Sequence, residues 1–167
     1  MFRTIDDFLE TYDAAAGRTI QVLEAFDDAA LRQTVADGHR TAAGIAWHIV
    51  TTVPEMMGKT GLGLSAVDAH GLPPDSATEI VSGYRKASQE LRQAVVDRWT
   101  DATLLEADTM YGETWPRGKT LTILIHHEIH HLGQLTVLLR QAGRKVPGIM
   151  GPSKEEWAQY GMAEPAY

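Results

Sequence analysis

The chain has 167 residues, with 22 acidic and 15 basic side chains, a net charge of −7 and no cysteine. Disulfides, thiolate metal sites and a protein thiol nucleophile are therefore excluded. The acidic balance and the lack of a basic run argue against nucleic acid as a partner, and no apolar run reaches the length of a membrane span.

Thr4 is placed to cap a first helix, with Asp7 in its first turn. Ile5, Phe8, Tyr12, Ala15, Thr19, Leu23 and Phe26 then recur at helical spacing. This N-terminal stretch is amphipathic and acidic, unlike a signal peptide, and a cytoplasmic protein is expected. After a turn at Asp37-Gly38, Thr41 is expected to cap a second helix running to about Met57. Its inward side carries Ile45, His48, Thr52 and Glu55, and Pro54 should kink it. A lone histidine in such a place is commonly just a hydrogen-bonded core residue.

Residues 58–74 form a loop rich in glycine and proline that includes His70. Ser76 and Glu79 have the spacing of a capping box. The third helix follows, with Ile80, Tyr84, Ala87, Leu91, Val95 and Trp99 on one face. A second long connection, 100–118, contains Tyr111, Gly112, Trp115 and Pro116. The two connections, over about 59–74 and 101–117, are expected to be mobile and to line a pocket mouth. The fourth helix should run from about Lys119 to Ala142, with Gly143 just past its end. Ser153 and Glu156 suggest a last short helix ending at Tyr160, before Gly161. The expected architecture is all-α, a single-domain four-helix bundle over 1–167 with a short C-terminal helix and no strand.

The fourth helix holds four histidines in six residues, His126, His127, His130 and His131. Residues four apart share a helix face, so the pairs are His126/His130 and His127/His131, about 100° apart. The second pair is in register with Leu124, Leu135, Leu138 and Ala142, which places it inside and leaves His126 and His130 peripheral. Two imidazoles one turn apart can chelate a metal, and a bundle draws further ligands from facing helices. His48 meets that requirement, while His39 and His70 fall in turns or loops. Three neutral imidazoles suit zinc, nickel, copper or iron, and zinc or nickel is expected. Three protein ligands leave an open position, the mark of a catalytic site.

The run His127-x-x-x-His131-Leu132-Gly133-Gln134, the GIAWHI segment around His48 and the tail PGIMGPSKEEW resemble the DinB-like family along essentially the whole chain. The resemblance implies a four-helix bundle, commonly a homodimer, with a divalent metal on His48, His127 and His131. Leu132 stands where the family often has arginine. The wider superfamily includes thiol-dependent S-transferases and mycothiol-dependent maleylpyruvate isomerases. With no protein thiol, the thiolate of such a reaction must arrive on a low-molecular-weight cosubstrate. The metal would hold it against a small-molecule electrophile. No residue is assigned as general base. Glu55 is a pocket candidate, and Gln134 is either an amide that orients a ligand or an ordinary polar residue at a helix crossing.

Two rivals remain open at this point. His127-Glu128-x-x-His131 spells HExxH, in which the glutamate is the base of a zinc peptidase. Gln134 stands where the metzincin extension needs glycine, and a downstream ligand would have to be Glu155 or Glu156. The plainer alternative is a bundle that binds metal without turnover, or one whose histidines merely pack.

Overall fold

Thr4, Thr41 and Ser76 each turn a side-chain oxygen onto the backbone N–H three residues ahead, at Asp7, Gly44 and Glu79. These caps set the starts of α1 (Ile5–Glu24), α2 (Ala42–Gly58) and α3 (Ala77–Arg98). The fourth, α4 (Arg117–Gln141), follows directly on Pro116 and has no side-chain cap. At its far end Gly143 takes φ +70°. Its N–H bonds to Arg140 O and that of Arg144 to Leu139 O, the double closure that stops a helix at a left-handed residue. The computed structural model describes residues 1–166.

The expected helices and their inward stripes are present. Phe8, Tyr12, Ala15 and Leu23 of α1 and Ile80, Tyr84, Ala87, Leu91 and Val95 of α3 are buried, with Ile45, Ile49 and Met56 of α2 and Leu121, Leu124, Leu135 and Leu138 of α4. α1 packs against α3 and α4, and α2 packs against the same two. Hence α1 lies diagonal to α2, and α3 to α4. α4 therefore presents one side to α2 and another to α1 and the bundle axis. Helix α2 runs on through Pro54 to Gly58. Just before that proline, the Thr52 hydroxyl donates to His48 O at 2.7 Å.

Two connections depart from expectation. Residues 107–116 are not structureless. They form an antiparallel hairpin of β1 (Ala107–Met110) and β2 (Glu113–Pro116), turned by Tyr111 and Gly112, both at positive φ. A two-residue turn of that kind matches the right-handed strand twist. The signal was weak because Tyr111 is not the asparagine or aspartate usual there, and the strands have four residues each. Arg117, at the start of α4, ties the hairpin down through Glu106 and Asp108.

The second departure is at the C-terminus. The expected short helix is a 3₁₀ turn, Trp157–Tyr160, ended by Gly161 at φ +67°. Ser153 does not cap it. Instead the Glu156 carboxylate accepts from the N–H of both Gly148 and Ser153. The connection from Lys59 to Ser76 has no regular structure, yet it is anchored. Glu90 accepts from Ser65 N and Ala66 N, and the Trp47 indole donates to Gly71 O at 2.7 Å. No helix of the described residues is long and apolar enough to cross a membrane.

Candidate metal centre

His48 on α2 and His127 and His131 on α4 meet where those helices pack. His127 Nε2 lies 3.2 Å from His48 Nε2 and 3.1 Å from His131 Nε2. The three rings are mutually steep, with interplanar angles of 71°, 84° and 77°. Nitrogens each about 2.0–2.1 Å from a tetrahedral zinc ion stand roughly 3.4 Å apart, so the spacing fits a shared ion. Among the described residues these three form the one group of histidine and acidic side chains close enough to hold a metal. His126 and His130 are exposed, as the helix register required.

Gln134 holds the ring of His131. Its Oε1 accepts from His131 Nδ1 at 2.6 Å. That bond puts the ring proton on Nδ1 and leaves the Nε2 lone pair aimed at the common point. Removing it should weaken metal binding without removing a ligand. Gln134→Ala is expected to lower affinity by about 10- to 100-fold. Competition of the variant with a chromophoric chelator checks this, and unchanged affinity would make Gln134 a bystander.

All three imidazoles resist protonation. Burial pushes the His127 pKa down to about 4, helped by repulsion from His131 and His48. Burial likewise lowers His48 and His131, although the Gln134 bond offsets part of the effect at His131. Neutral imidazole is the ligating form, so the site is ready near neutral pH. Metal affinity is expected to stay flat through about pH 6.5, the ordinary imidazole value, and to fall only as acidification reaches the lowered values of the folded rings. In the metal-free protein the unfolded chain binds more protons between about pH 6.5 and 4, so stability should drop across that window on acidification. Chelator competition and thermal melts at pH 7.5, 6.5 and 5.5 test both statements.

A cavity of about 350 Å³ adjoins the cluster. His48 and His127 form part of its wall, with Thr51, Thr52, Met56 and Ile123 beside them. Both long connections reach its mouth, through Ala69 and Tyr111. Glu55 also lines it, held by Lys59 at 3.0 Å and by the Tyr111 hydroxyl, which donates to it at 2.5 Å.

A family model of the DinB family matches residues 1–165. The chain belongs to the DinB family. It is 41% identical over 165 residues to the uncharacterised protein YrdA of Bacillus subtilis (strain 168), covering 99% of each chain. It is also similar to the crystal structure of a DinB-like protein from Bacillus cereus ATCC 10987. There the TM-score is 0.84 at 38% identity, over 89% of this chain and 99% of that one. A second DinB-like crystal structure, YjoA of Bacillus subtilis, shares the fold at a TM-score of 0.69 and 17% identity, over 86% of this chain and 96% of that one.

Against this DinB-family frame the peptidase reading fails on geometry. Glu128 points away from the cavity, into the bundle axis, and is 2% exposed. Its Oε1 accepts from the Thr19 hydroxyl of α1 and the Tyr84 hydroxyl of α3. Burial raises its pKa, and a carboxyl closed off at that depth reaches no proton in the cavity, as a general base must. Glu155 pairs with Arg140, and Glu156 is spent on backbone N–H groups, so neither is a ligand. This buried glutamate is the residue that sequence reasoning left unplaced. The available signal was its position within the stripe Leu121, Leu124, Ile125, Leu132 and Leu135, three, four or seven residues away.

Proposed function

We propose that the chain is a metal-dependent transferase that joins a small-molecule thiol to an electrophilic carbon. The observation that carries the reading is the opening of a three-imidazole cluster onto a cavity in a chain without cysteine. A divalent ion held there, for which we take zinc or nickel, would lower the pKa of a bound thiol or water. In the proposed reaction a C–S bond forms and the bond from carbon to its leaving group breaks. The leaving group departs with the electron pair, and the thiol proton passes to solvent.

The protein's own side chains have separate tasks. His48, His127 and His131 hold the ion, and Gln134 fixes the ring of His131. Thr51 and Thr52 line the cavity and donate to the carbonyls of Trp47 and His48, which leaves their hydroxyl oxygens free to accept. Met56 and Ile123 give it apolar walls, which strengthen the hold on a charged sulfur. The reaction is assigned to a cytoplasmic homodimer acting on small molecules.

The test is a screen of zinc- and nickel-loaded protein with several low-molecular-weight thiols and a fluorogenic chlorinated acceptor. Turnover that disappears with a chelator and returns with metal supports the proposal. Metal-dependent ester hydrolysis, with no thiol transfer for any thiol, would replace it with a hydrolase. Metal binding with neither activity would leave a binding bundle.

A further inference from the structure

A second cavity, of about 220 Å³, lies on the Gln134 side of the histidine cluster. Val35, Ile45, Val137 and Leu138 give it apolar walls, and Arg40 and Gln134 are its two polar groups. Val35 and Val137 are exposed at 57% and 50%, so two apolar side chains border an opening and are about half uncovered among the described residues. Among the described residues no carboxylate pairs with Arg40, so its guanidinium stays available to a ligand. Gln134 gives its oxygen to His131, and its NH₂ donates to no described protein group.

We infer that this cavity is a subsite for a carboxylate carried on an apolar body. A guanidinium offers paired N–H donors that match the two oxygens of a carboxylate, and the neighbouring Gln134 NH₂ adds a third donor. The four aliphatic side chains cover the hydrocarbon part, which removes the exposed valine surface from water. The subsite adjoins the metal centre through Gln134, whose oxygen holds the His131 ring, and it shares no lining residue with the first cavity. The inference rests on this cavity and not on thiol transfer, and either can fail without the other.

The probes are 4-phenylbutyrate, its neutral amide and 4-phenylbutylamine. Each is titrated into metal-free, ¹⁵N-labelled protein and followed by amide chemical shifts, so that ligation of a carboxylate to metal cannot contribute. Expected shifts centre on Arg40, Gln134 and Val137, with the carboxylate bound about tenfold or more tighter than the amide. Arg40→Gln should weaken the carboxylate by a similar factor and leave the amide unchanged. Val137→Trp, at an exposed rim position that the fold tolerates, should weaken both. Equal binding of carboxylate and amide would overturn the inference. So would carboxylate binding that is unchanged in Arg40→Gln, or shifts centred instead on Glu55 and Tyr111.

Discussion

Metal content in His48→Ala, His127→Ala and His131→Ala is expected to collapse, with affinity falling by roughly 100-fold or more in each, while His126→Ala and His130→Ala stay near wild type. The separation follows from one helix angle. Residues 127 and 131 stand on the side of α4 that meets α2, and their Nε2 atoms come within 3.1 Å of each other. His48 closes the set from α2 at 3.2 Å. Losing any one leaves a two-nitrogen chelate, which holds a divalent ion far less tightly at neutral pH. The outer pair reaches none of the three nitrogens' common point, although the His130 ring packs against His131 at 5.0 Å. That contact makes His130→Ala the stricter control. If it loses metal while His131→Ala retains it, the assigned face is wrong. Metal stoichiometry of the five variants after exhaustive dialysis decides the matter.

Much of this was legible from periodicity because the relevant signals are local. A threonine or serine three residues before a free backbone N–H caps a helix whatever lies across from it, and Thr4, Thr41 and Ser76 all do so. Gly143 ends α4 for an equally local reason, its left-handed φ. The inward placement of His127 and His131 depended only on their register with leucines. What escaped the sequence depends on partners distant along the chain. The hairpin at residues 107–116 is held by Arg117 bridging to Asp108 and Glu106, and its strands show no strict alternation of apolar residues. Ser153 and Glu156 have cap spacing, but Glu156 is drawn to the N–H of Gly148 by a chain reversal that spacing does not encode. Glu128 had no assigned place beyond its part in the HExxH pattern. Its burial makes sense only once α1 and α3 bring Thr19 and Tyr84 to meet it.

Glu128→Ala is expected to destabilise the bundle by about 3 kcal/mol or more, whereas Glu128→Gln should keep the fold, the metal and any catalysis. The alanine variant removes the acceptor shared by two buried hydroxyls, Thr19 and Tyr84, and leaves a void at the bundle axis. The surroundings cannot compensate, since Tyr12 Oη already lacks a hydrogen-bond partner there. Glutamine retains the accepting oxygen and nearly the same volume. Burial raises the Glu128 pKa in the folded state, so its stabilising contribution is complete below the unfolded value near 4.5 and is lost as pH rises toward the folded value. Wild type should therefore lose stability relative to Glu128→Gln as pH increases from about 4.5. The histidine contribution has the opposite sign and is common to both proteins, so it cancels in the difference. Denaturant melts of metal-free wild type and both variants, at several pH values from 4.5 to 8, measure this. A difference between wild type and Glu128→Gln that is independent of pH would mean that Glu128 is ionised in the folded bundle. Loss of catalysis in Glu128→Gln with metal retained would return the residue to the role of base, against its place at the bundle axis.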